Sequence, residues 1–282
     1  MTSVSDERTE RTVHSPSSTD VYTHGHHESV LRSHTWRTAE NSAAYLLPRL
    51  KPGLDLLDVG CGPGTITTDL ARRVAPGRVV GIDRSSDVVA EARRHAESAG
   101  VAVELAVGDV YALEFPDASF DVVHAHQVLQ HLTDPVAALG ELRRVVRPGG
   151  VVAVRDSDYA SFVWAPLDPR LTRWLDVYRA VARHNRAEPD AGRFLKGWAR
   201  AAGFGAVTVT SSTWTFASAE SCAWWGGLWA DRCLLSAFGD QAMAYGIASR
   251  AELTGFAEAF RRWAEHPDAY FAVVHGELLA SA

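Results

Sequence analysis

The sequence predicts an α/β protein with a doubly wound, mainly parallel sheet of seven strands and helical insertions that form a lid. Three observations support this fold class. From Leu54 onward, apolar β-branched runs alternate with amphipathic helical segments, a pattern typical of a parallel sheet covered on both faces. A glycine-rich turn at residues 60–64 joins the first apolar run directly to a helical segment. Acidic residues stand at the ends of the first three strands.

Apolar runs, caps and chain breakers set the expected boundaries of the elements. Strands are expected at residues 54–59, 78–83, 101–107, 120–124, 151–154, 206–211 and 270–274. Helices are expected at residues 65–74, 85–99, 134–146, 170–185, 191–202, 219–236 and 250–265. Ser85 suits an N-cap and Gly100 a helix end, while Asp134 and Pro135 suit the start of the next helix.

Composition excludes several classes of protein. The 282 residues are 46% hydrophobic and 22% charged, as in an ordinary globular protein. The formal net charge is −6, and the sequence contains no basic stripe. A broad nucleic-acid-binding surface is therefore not expected. The cysteines form no CxxC motif and the N-terminus shows no apolar leader, which favours a reducing, cytoplasmic location. No apolar run is long enough for a membrane span.

The residues that end the strands describe the expected ligand. Ligands of open parallel sheets bind outside the carboxyl ends of the strands. Asp83 ends the second strand, where a carboxylate can accept hydrogen bonds from both hydroxyls of a ribose. Asp109 ends the third and can accept from an amine such as adenine N6. Either Asp can instead be a helix cap or turn residue, but a row of three strand-end carboxylates favours a ligand site.

The glycine loop and Asp58 distinguish a cationic ligand from a phosphate. Glycines at 60, 62 and 64 permit positive φ and close approach of a ligand to the backbone. The N–H groups of the loop and the next helix then face that ligand. Asp58 directly precedes the loop, where its charge repels phosphate and attracts a cation. A ligand with adenine, ribose and a positive centre but no phosphate fits, and S-adenosylmethionine is such a molecule.

Five segments together resemble the class I S-adenosylmethionine-dependent methyltransferases. They are LDVGCGPG at 57–64, GID at 81–83, GDV at 108–110, FDVV at 120–123 and LRRVVRPGGV at 142–151. The resemblance is close over residues 54–156, and the branch it indicates contains the quinone-biosynthesis C-methyltransferases. It implies a Rossmann-like fold and S-adenosylmethionine as the cofactor.

The same resemblance implies roles for single residues. Gly60 and Gly62 would hold the methionine part of the cofactor, Asp83 the ribose, and Asp109 with Val110 the adenine.

Other residues would line the methyl end of the site. Ala125 and His126, expected just past the fourth strand, would line the methionine and methyl end, and Tyr22 would close over the cofactor. The full expected cofactor-binding set is Tyr22, Asp58, Gly60, Cys61, Gly62, Asp83, Arg84, Asp109, Val110, Ala125 and His126. No metal is expected to bind.

The chain is expected to form one domain of four parts. Residues 1–20 are polar and are expected to be a disordered tail, and residues 21–50 an N-terminal helical flap. Residues 51–156 would be the cofactor-binding core, and residues 157–282 the lid helices and last strands of the same domain. His24, His26 and His27 could bind a metal, but without partners at close ligand spacing an ordered flap over a ligand is favoured.

His126 and His131 are the candidate catalytic residues. A sulfonium methyl is already activated, so the main task of an enzyme is to align the nucleophile with it. A hydroxyl or acidic carbon acceptor would also need a base. Alternatively, His126 only shapes the pocket and His131 caps or packs beneath a helix. Arg193, after the fifth strand, could bind an acidic group of the substrate or pair with Asp190.

The large hydrophobic lid favours a small, largely apolar or aromatic acceptor, methylated by in-line SN2 displacement. Trp224, Trp225 and Trp229 are either core residues or part of the acceptor pocket. A non-catalytic S-adenosylmethionine-binding sensor or partner protein is an alternative. An NAD-dependent oxidoreductase is less favoured, because neither Lys51 nor Lys196 lies four residues from a tyrosine. The acceptor, the methylated atom and the oligomeric state stay open.

Overall fold

A computed structural model describes residues 20–23 and 34–282. Its strands are β1 Leu56–Val59, β2 Val79–Asp83, β3 Glu104–Val107, β4 Phe120–His126, β5 Val146–Ser157, β6 Val163–Ala165, β7 Ala206–Phe216 and β8 Tyr270–Ser281. They form one sheet in the order β3-β2-β1-β4-β5-β8, and both β6 and β7 pair with β8.

The sheet has a parallel part and an antiparallel edge. Strands β3, β2, β1, β4 and β5 are parallel to their neighbours, whereas β8 runs antiparallel to β5, β6 and β7. The predicted α/β fold with a mainly parallel, Rossmann-like sheet is confirmed. The eighth strand, β6, was not predicted, because three residues are too few to show a periodic pattern.

Helices cover both faces of the sheet and build the lid. They are α1 Ala39–Ser42, α2 Thr65–Val74, α3 Ser86–Ala99, α4 Pro135–Val145, α5 Pro169–His184, α6 Leu195–Ala201, α7 Ala219–Leu235, α8 Ala237–Ala244 and α9 Arg250–Ala264. The predicted caps are present. The Ser85 hydroxyl accepts from the Val88 N–H, and the Asp134 carboxylate accepts from the Ala137 N–H.

Several boundaries differ from the prediction. Strand β4 continues to His126, so Ala125 and His126 are its last two residues rather than residues past its end. The helix expected at 191–202 is divided into a 3-10 turn, Ala191–Arg193, and α6. Helix α8 follows α7 directly at Ser236, which caps it, and continuous apolar sequence hid this break. Strands β7 and β8 are longer than predicted because they pair with each other along their length.

The two faces of the sheet carry separate cores. Leu57 packs on one face with Leu139 of α4, and Leu56 packs on the other face with Leu70 of α2. Residues two apart in a strand share a face. Toward the carboxyl ends of the strands, the α2 face therefore changes from apolar to polar side chains. Its buried polar residues are Asp58, His124, His126, Arg155, Ser157, His275 and Glu277.

The lid helices have a third, aromatic core. Trp174 of α5 meets Trp229 of α7 edge to face, with ring centroids 4.5 Å apart, and meets Phe260 of α9 at 4.8 Å. All three rings are fully buried. This cluster joins the lid to the antiparallel edge of the sheet through Phe271 of β8. Among the described residues, no helix combines the length and the apolar character that crossing a bilayer would require.

Close backbone packing between Gly276 and Gly192 yields a stability prediction. A Cβ at Gly276 of β8 would overlap the Gly192 carbonyl oxygen, and neither backbone can move without disturbing β5. Gly276→Ala should therefore lower the free energy of unfolding by about 1–3 kcal/mol, measured by urea titration. Gly140→Ala is the matched control, because a Cβ there meets no atom within 4 Å. That control should raise stability by about 0.5–1 kcal/mol because helix α4 gains a better helix former. Equal effects of the two changes would contradict the packing account.

Candidate active site

A cavity of about 810 Å³ lies at the carboxyl ends of the parallel strands. Its walls come from the glycine loop after β1, the ends of β2 and β4, the described N-terminal residues and the lid. Nearly all predicted cofactor-binding residues line it. They are Tyr22, Asp58, Gly60, Cys61, Gly62, Asp83, Arg84, Asp109, Val110 and His126, and the candidate base His131 joins them.

Ala125 is the predicted site residue that does not line the cavity. Its side chain is fully buried in the apolar core with Val123, on the opposite face of the sheet from His126. Because β4 extends to His126, successive side chains alternate between faces up to the end of the strand. The prediction placed Ala125 beyond the strand and was wrong on this point.

The loop after β1 leaves its backbone open to a ligand. Gly60 and Gly62 have φ values of 68° and 56°, in the left-handed region that favours glycine. A Cβ on Gly60 would overlap the Val128 side chain, whereas a Cβ on Gly62 would meet no atom within 4 Å. Gly62 therefore faces empty space on the cavity wall. The Cys61 thiol between them is buried, and burial raises its pKa well above the ordinary value.

Asp58 is fixed by two buried partners. The Thr67 hydroxyl of α2 donates to one carboxylate oxygen at 2.5 Å, and Nδ1 of His124 donates to the other at 2.7 Å. Asp58 and His124 are direct neighbours in the pairing of β1 with β4. The carboxylate is 2% exposed, yet it lines the cavity. Its position just before the glycine loop is therefore set by two strands and a helix.

The other strand-end carboxylates also face the cavity. Asp83 accepts from the N–H groups of Gly62, at 3.2 Å, and of Ser85, at 3.0 Å. Asp109 accepts from the Tyr111 N–H at 2.9 Å, which is the geometry of a turn residue. Both the turn role and the ligand-facing position expected for Asp109 are present. These bonds orient the two carboxylates at the wall of the cavity.

The described N-terminal residues form part of the cavity wall. Asp20 was assigned to a disordered tail, but it is buried, and its carboxylate accepts from the Thr133 N–H at 2.8 Å. Its carbonyl oxygen accepts from the Arg84 guanidinium at 3.0 Å. The Tyr22 ring meets His131 edge to face at 4.8 Å. His24, His26 and His27 lie outside the described residues.

His126 has no hydrogen-bond partner for either ring nitrogen among the described residues. It is 5% exposed, and its ring lies 5.7 Å from that of Trp214 in β7. Burial, with added repulsion from Arg37 and Arg155, lowers the pKa of His126 well below its ordinary value. The imidazole is therefore neutral near pH 7, and its nitrogens are available to a molecule in the cavity.

His131 lies in the short 3-10 turn that follows β4. Its Nε2 is 3.0 Å from the side-chain amide of Gln130. Burial, with a smaller effect of Arg37, lowers the pKa of His131 to about 3. This histidine is neutral across the physiological range and lies beside the residues that close the cavity.

A polar network around Gln127 was not predicted from the sequence. The Arg37 guanidinium donates to the Gln127 side-chain oxygen at 2.7 Å. The Gln127 amide nitrogen is 2.9 Å from both the Ser157 hydroxyl and Nε2 of His275. Gln127 has a φ of 54°, rare for a residue with a side chain and typical of functional sites. No local signal in the sequence joins these residues, which come from four segments of the chain.

Arg193, a candidate for binding an acidic group of the substrate, has a structural role. Arg193 forms a bidentate pair with Asp158, at 2.6 and 2.7 Å, and does not line the cavity. Asp190 pairs instead with Arg179 and Arg183, so the alternative in which Arg193 pairs with Asp190 is not the arrangement in the structure. Of the tryptophans considered, Trp225 lines the cavity, while Trp229 is fully buried in the lid core.

Comparisons with known proteins agree with this fold. Residues 50–210 match the family described as "Methyltransferase domain". An uncharacterized methyltransferase of Schizosaccharomyces pombe is 36% identical over 270 residues, which cover 92% of this chain and 95% of that protein. A demethylmenaquinone methyltransferase of a Parafrankia species is 35% identical over 202 residues, 64% of this chain and 76% of its own length.

The chain therefore belongs to the class I S-adenosylmethionine-dependent methyltransferases, as the sequence motifs predicted. The solved structure of the YcgJ protein from Bacillus subtilis has the same fold, with a TM-score of 0.57 and 19% identity. The match covers 86% of this chain and 98% of that one. The predicted resemblance to quinone methyltransferases is confirmed by relatives of that kind.

Asp156 yields a prediction for stability against pH. It is fully buried, one carboxyl oxygen accepts from the Gln130 N–H at 3.1 Å, and the other has no partner among the described residues. Burial raises the pKa of Asp156 from 3.8 to about 7. The native state thus holds a proton that the unfolded state releases between these values. The stabilising effect of that proton is complete below pH 3.8 and is lost as the pH rises to about 7.

Asp156→Asn keeps an acceptor for Gln130 and removes the titration. The unfolding free energy of the variant relative to wild type should rise with pH across this window and become constant above pH about 7. The rise should be about 1.4 kcal/mol for each unit of pKa shift. Urea titrations at several pH values measure it. A difference that does not change with pH would contradict the assignment.

Proposed function

We propose that this chain transfers a methyl group from S-adenosylmethionine to a small, largely apolar or aromatic acceptor in the 810 Å³ cavity. One observation carries the proposal. The glycine loop and strand-end carboxylates share a single cavity with His126, whose ring nitrogens have no partner among the described residues. A cofactor at the first group and an acceptor at the second would therefore meet in one enclosed space.

The charges at the strand ends fit the proposed cofactor. Five acidic residues line the cavity: Asp20, Asp58, Asp83, Asp109 and Glu114. Such a surface disfavours the pyrophosphate of a dinucleotide and attracts the ammonium and sulfonium groups of S-adenosylmethionine. Asp83 would accept from the ribose hydroxyls, and Asp109 with Val110 would lie against the adenine. The open backbone at Gly62 would lie against the methionine part.

The cofactor supplies an electrophilic methyl on a positively charged sulfur. An acceptor nucleophile aligned with that methyl would take it as the carbon–sulfur bond breaks, which would leave S-adenosylhomocysteine and the methylated acceptor. A proton on the nucleophile must leave during or before this step. The protein has to align the two reactants and exclude water, since alignment supplies most of the rate enhancement.

His126 is the proposed base for acceptors that carry such a proton. Its neutral imidazole can accept one, but the lowered pKa makes it a weak base that would release the proton readily. The rings of Phe162, Trp214 and Trp225 line the same cavity and would shield the reaction from water. His131, with a pKa of about 3, is the weaker candidate and would close the site with Tyr22.

Asp83→Ala should weaken the binding of S-adenosylhomocysteine by about 1–3 kcal/mol, because the hydrogen bonds to the ribose hydroxyls are lost. Isothermal titration calorimetry measures this change. Asp176→Ala is the control, since Asp176 is exposed on α5 outside the cavity. Wild-type affinity in the Asp83 variant would refute its ribose role, and weakening in the control would show that the effect is not local.

His126→Ala should reduce kcat for a proton-bearing acceptor about 100-fold or more, within the range for loss of a general base. Affinity for S-adenosylhomocysteine should change little. Because the pKa of His126 is lowered, its basic form persists as the pH falls, and wild-type kcat should show no loss at its ordinary pKa of 6.5. Equal losses of turnover and cofactor affinity would indicate a packing role instead.

Methyl transfer from labelled S-adenosylmethionine to a panel of phenols, quinones, amines and carboxylates tests the function itself. The proposal expects label in at least one small acceptor. Tight cofactor binding with no transfer to any acceptor would favour a non-catalytic binding protein.

A further inference from the structure

Three polar side chains that line the cavity form a chain of hydrogen bonds with a fixed direction. They come from three segments: Arg37 precedes α1, Gln127 follows β4, and Ser157 ends β5. Building on the proposed function, we propose that Ser157 is a specificity-determining residue that donates a hydrogen bond to a carbonyl oxygen of the methyl acceptor.

The orientation of the Gln127 side-chain amide follows from the chemistry of Arg37. A guanidinium carries only donors, so the atom that it contacts must be an acceptor. Nη2 of Arg37 lies 2.7 Å from Oε1 of Gln127, which identifies that atom as the amide oxygen. Burial, together with repulsion from Arg232 and Arg155, lowers the pKa of Arg37 to about 10, so the guanidinium is still protonated near pH 7. The other side of the amide is therefore its NH2 group.

The NH2 group of Gln127 donates to two acceptors. Its nitrogen is 2.9 Å from the Ser157 hydroxyl oxygen and 2.9 Å from Nε2 of His275. An amide nitrogen donates and does not accept, so both partners must accept from it. His275 can do so because burial lowers its pKa well below the ordinary value, and a neutral imidazole has one accepting nitrogen. The Ser157 hydroxyl proton is not used in this contact.

Among the described residues, nothing accepts the hydroxyl proton of Ser157. The residue is 2% exposed and lines the cavity. Its backbone N–H donates to the Gln130 side-chain oxygen at 2.9 Å, which fixes its position. Buried polar groups in folded proteins are almost always hydrogen-bonded. A molecule bound in the cavity can supply the acceptor for this proton.

The direction of the hydrogen bonds favours a carbonyl oxygen as that acceptor. The Arg37 cation donates to the Gln127 amide, and the amide donates to the Ser157 hydroxyl. Consecutive hydrogen bonds in a buried chain polarise one another, so this hydroxyl is a better donor than that of an isolated serine. A carbonyl oxygen accepts hydrogen bonds and donates none, which matches a chain that ends in a polarised donor.

Ser157 lies on the same face of the sheet as the proposed base. His126 is paired with Arg155 in the register of β4 with β5, and Ser157 is two residues beyond Arg155. Residues two apart in a strand share a face and are separated by about 7 Å. Both His126 and Ser157 are buried, and both line the cavity. One acceptor molecule can therefore contact the imidazole with the group that is methylated and the hydroxyl with its carbonyl oxygen.

Acetophenone and α-methylstyrene test the inference in the full chain saturated with S-adenosylhomocysteine. They have nearly the same shape, but the carbonyl oxygen of the first is a CH2 group in the second. Calorimetry at millimolar concentrations gives the ratio of their affinities. The preference for acetophenone should fall about two- to tenfold in Ser157→Ala, the range for one lost neutral hydrogen bond. Ser211→Ala is the matched control, because Ser211 is an exposed serine of β7 outside the cavity, and the ratio should stay at its wild-type value.

Gln127→Glu distinguishes the hydrogen bond from packing. Ser157 is retained in this variant, but a carboxylate cannot donate to its oxygen and would instead accept a hydrogen bond from its hydroxyl. The preference for acetophenone should therefore fall as far as it does in Ser157→Ala. A packing role for Ser157 would leave the ratio in Gln127→Glu at the wild-type value. Saturation of each variant with S-adenosylhomocysteine reports correct folding.

An unchanged ratio in Ser157→Ala or in Gln127→Glu, an equal fall in Ser211→Ala, or no binding of acetophenone at millimolar concentration would overturn the inference. So would weaker binding of S-adenosylhomocysteine by Ser157→Ala with an unchanged ratio, because the hydroxyl would then donate to the cofactor. Failure of the wild-type chain to bind S-adenosylhomocysteine, or to transfer a methyl group to any acceptor of the panel, would instead overturn the proposed function.

Discussion

The buried contact of Asp58 with His124 and Thr67 is the constraint on which the site depends. It joins β1, β4 and α2 at the point where the glycine loop begins. A carboxylate that is 2% exposed is tolerated because both of its oxygens accept hydrogen bonds. If either partner were removed, a buried polar group would be left unsatisfied at a cost of about 1–3 kcal/mol. The loop that follows would lose its fixed starting point.

The face of the sheet that packs against α2 explains the polarity of the cavity. The part of this face away from the carboxyl ends of the strands is apolar and packs beneath α2. The part at the carboxyl ends carries buried polar residues from four adjacent strands. The strand-end carboxylates line the cavity at the carboxyl ends of the strands, and Arg37 and Arg232 also line it.

Features set by neighbouring residues were predictable from the sequence. The glycine loop, the helix caps at Ser85 and Asp134 and the strand-end carboxylates depend on local spacing, and the structure has them where they were expected. His126 was expected just past the fourth apolar run, and it lines the cavity. Its neighbour Ala125 was misplaced, since the end of a strand is not marked by a breaker in the segment after His124.

Features that depend on distant residues were missed. Arg37 and Gln127 are 90 positions apart, and Trp214 donates its indole N–H to the Asn41 carbonyl oxygen across 173 positions. No periodicity connects such pairs, and only the sheet order brings them together. Arg232 likewise lies in a Trp-rich helix that reads as core. The sequence therefore indicated the strand-end residues that line the cavity, whereas the contacts of Arg37 and Gln127 required the three-dimensional fold.

A crystal structure of the complex with S-adenosylhomocysteine tests the central claim most directly. The account predicts adenosine between Asp83 and Asp109, the methionine part over Gly62, and the sulfur directed toward His126. Adenosine bound elsewhere, or a sulfur directed away from His126, would contradict it.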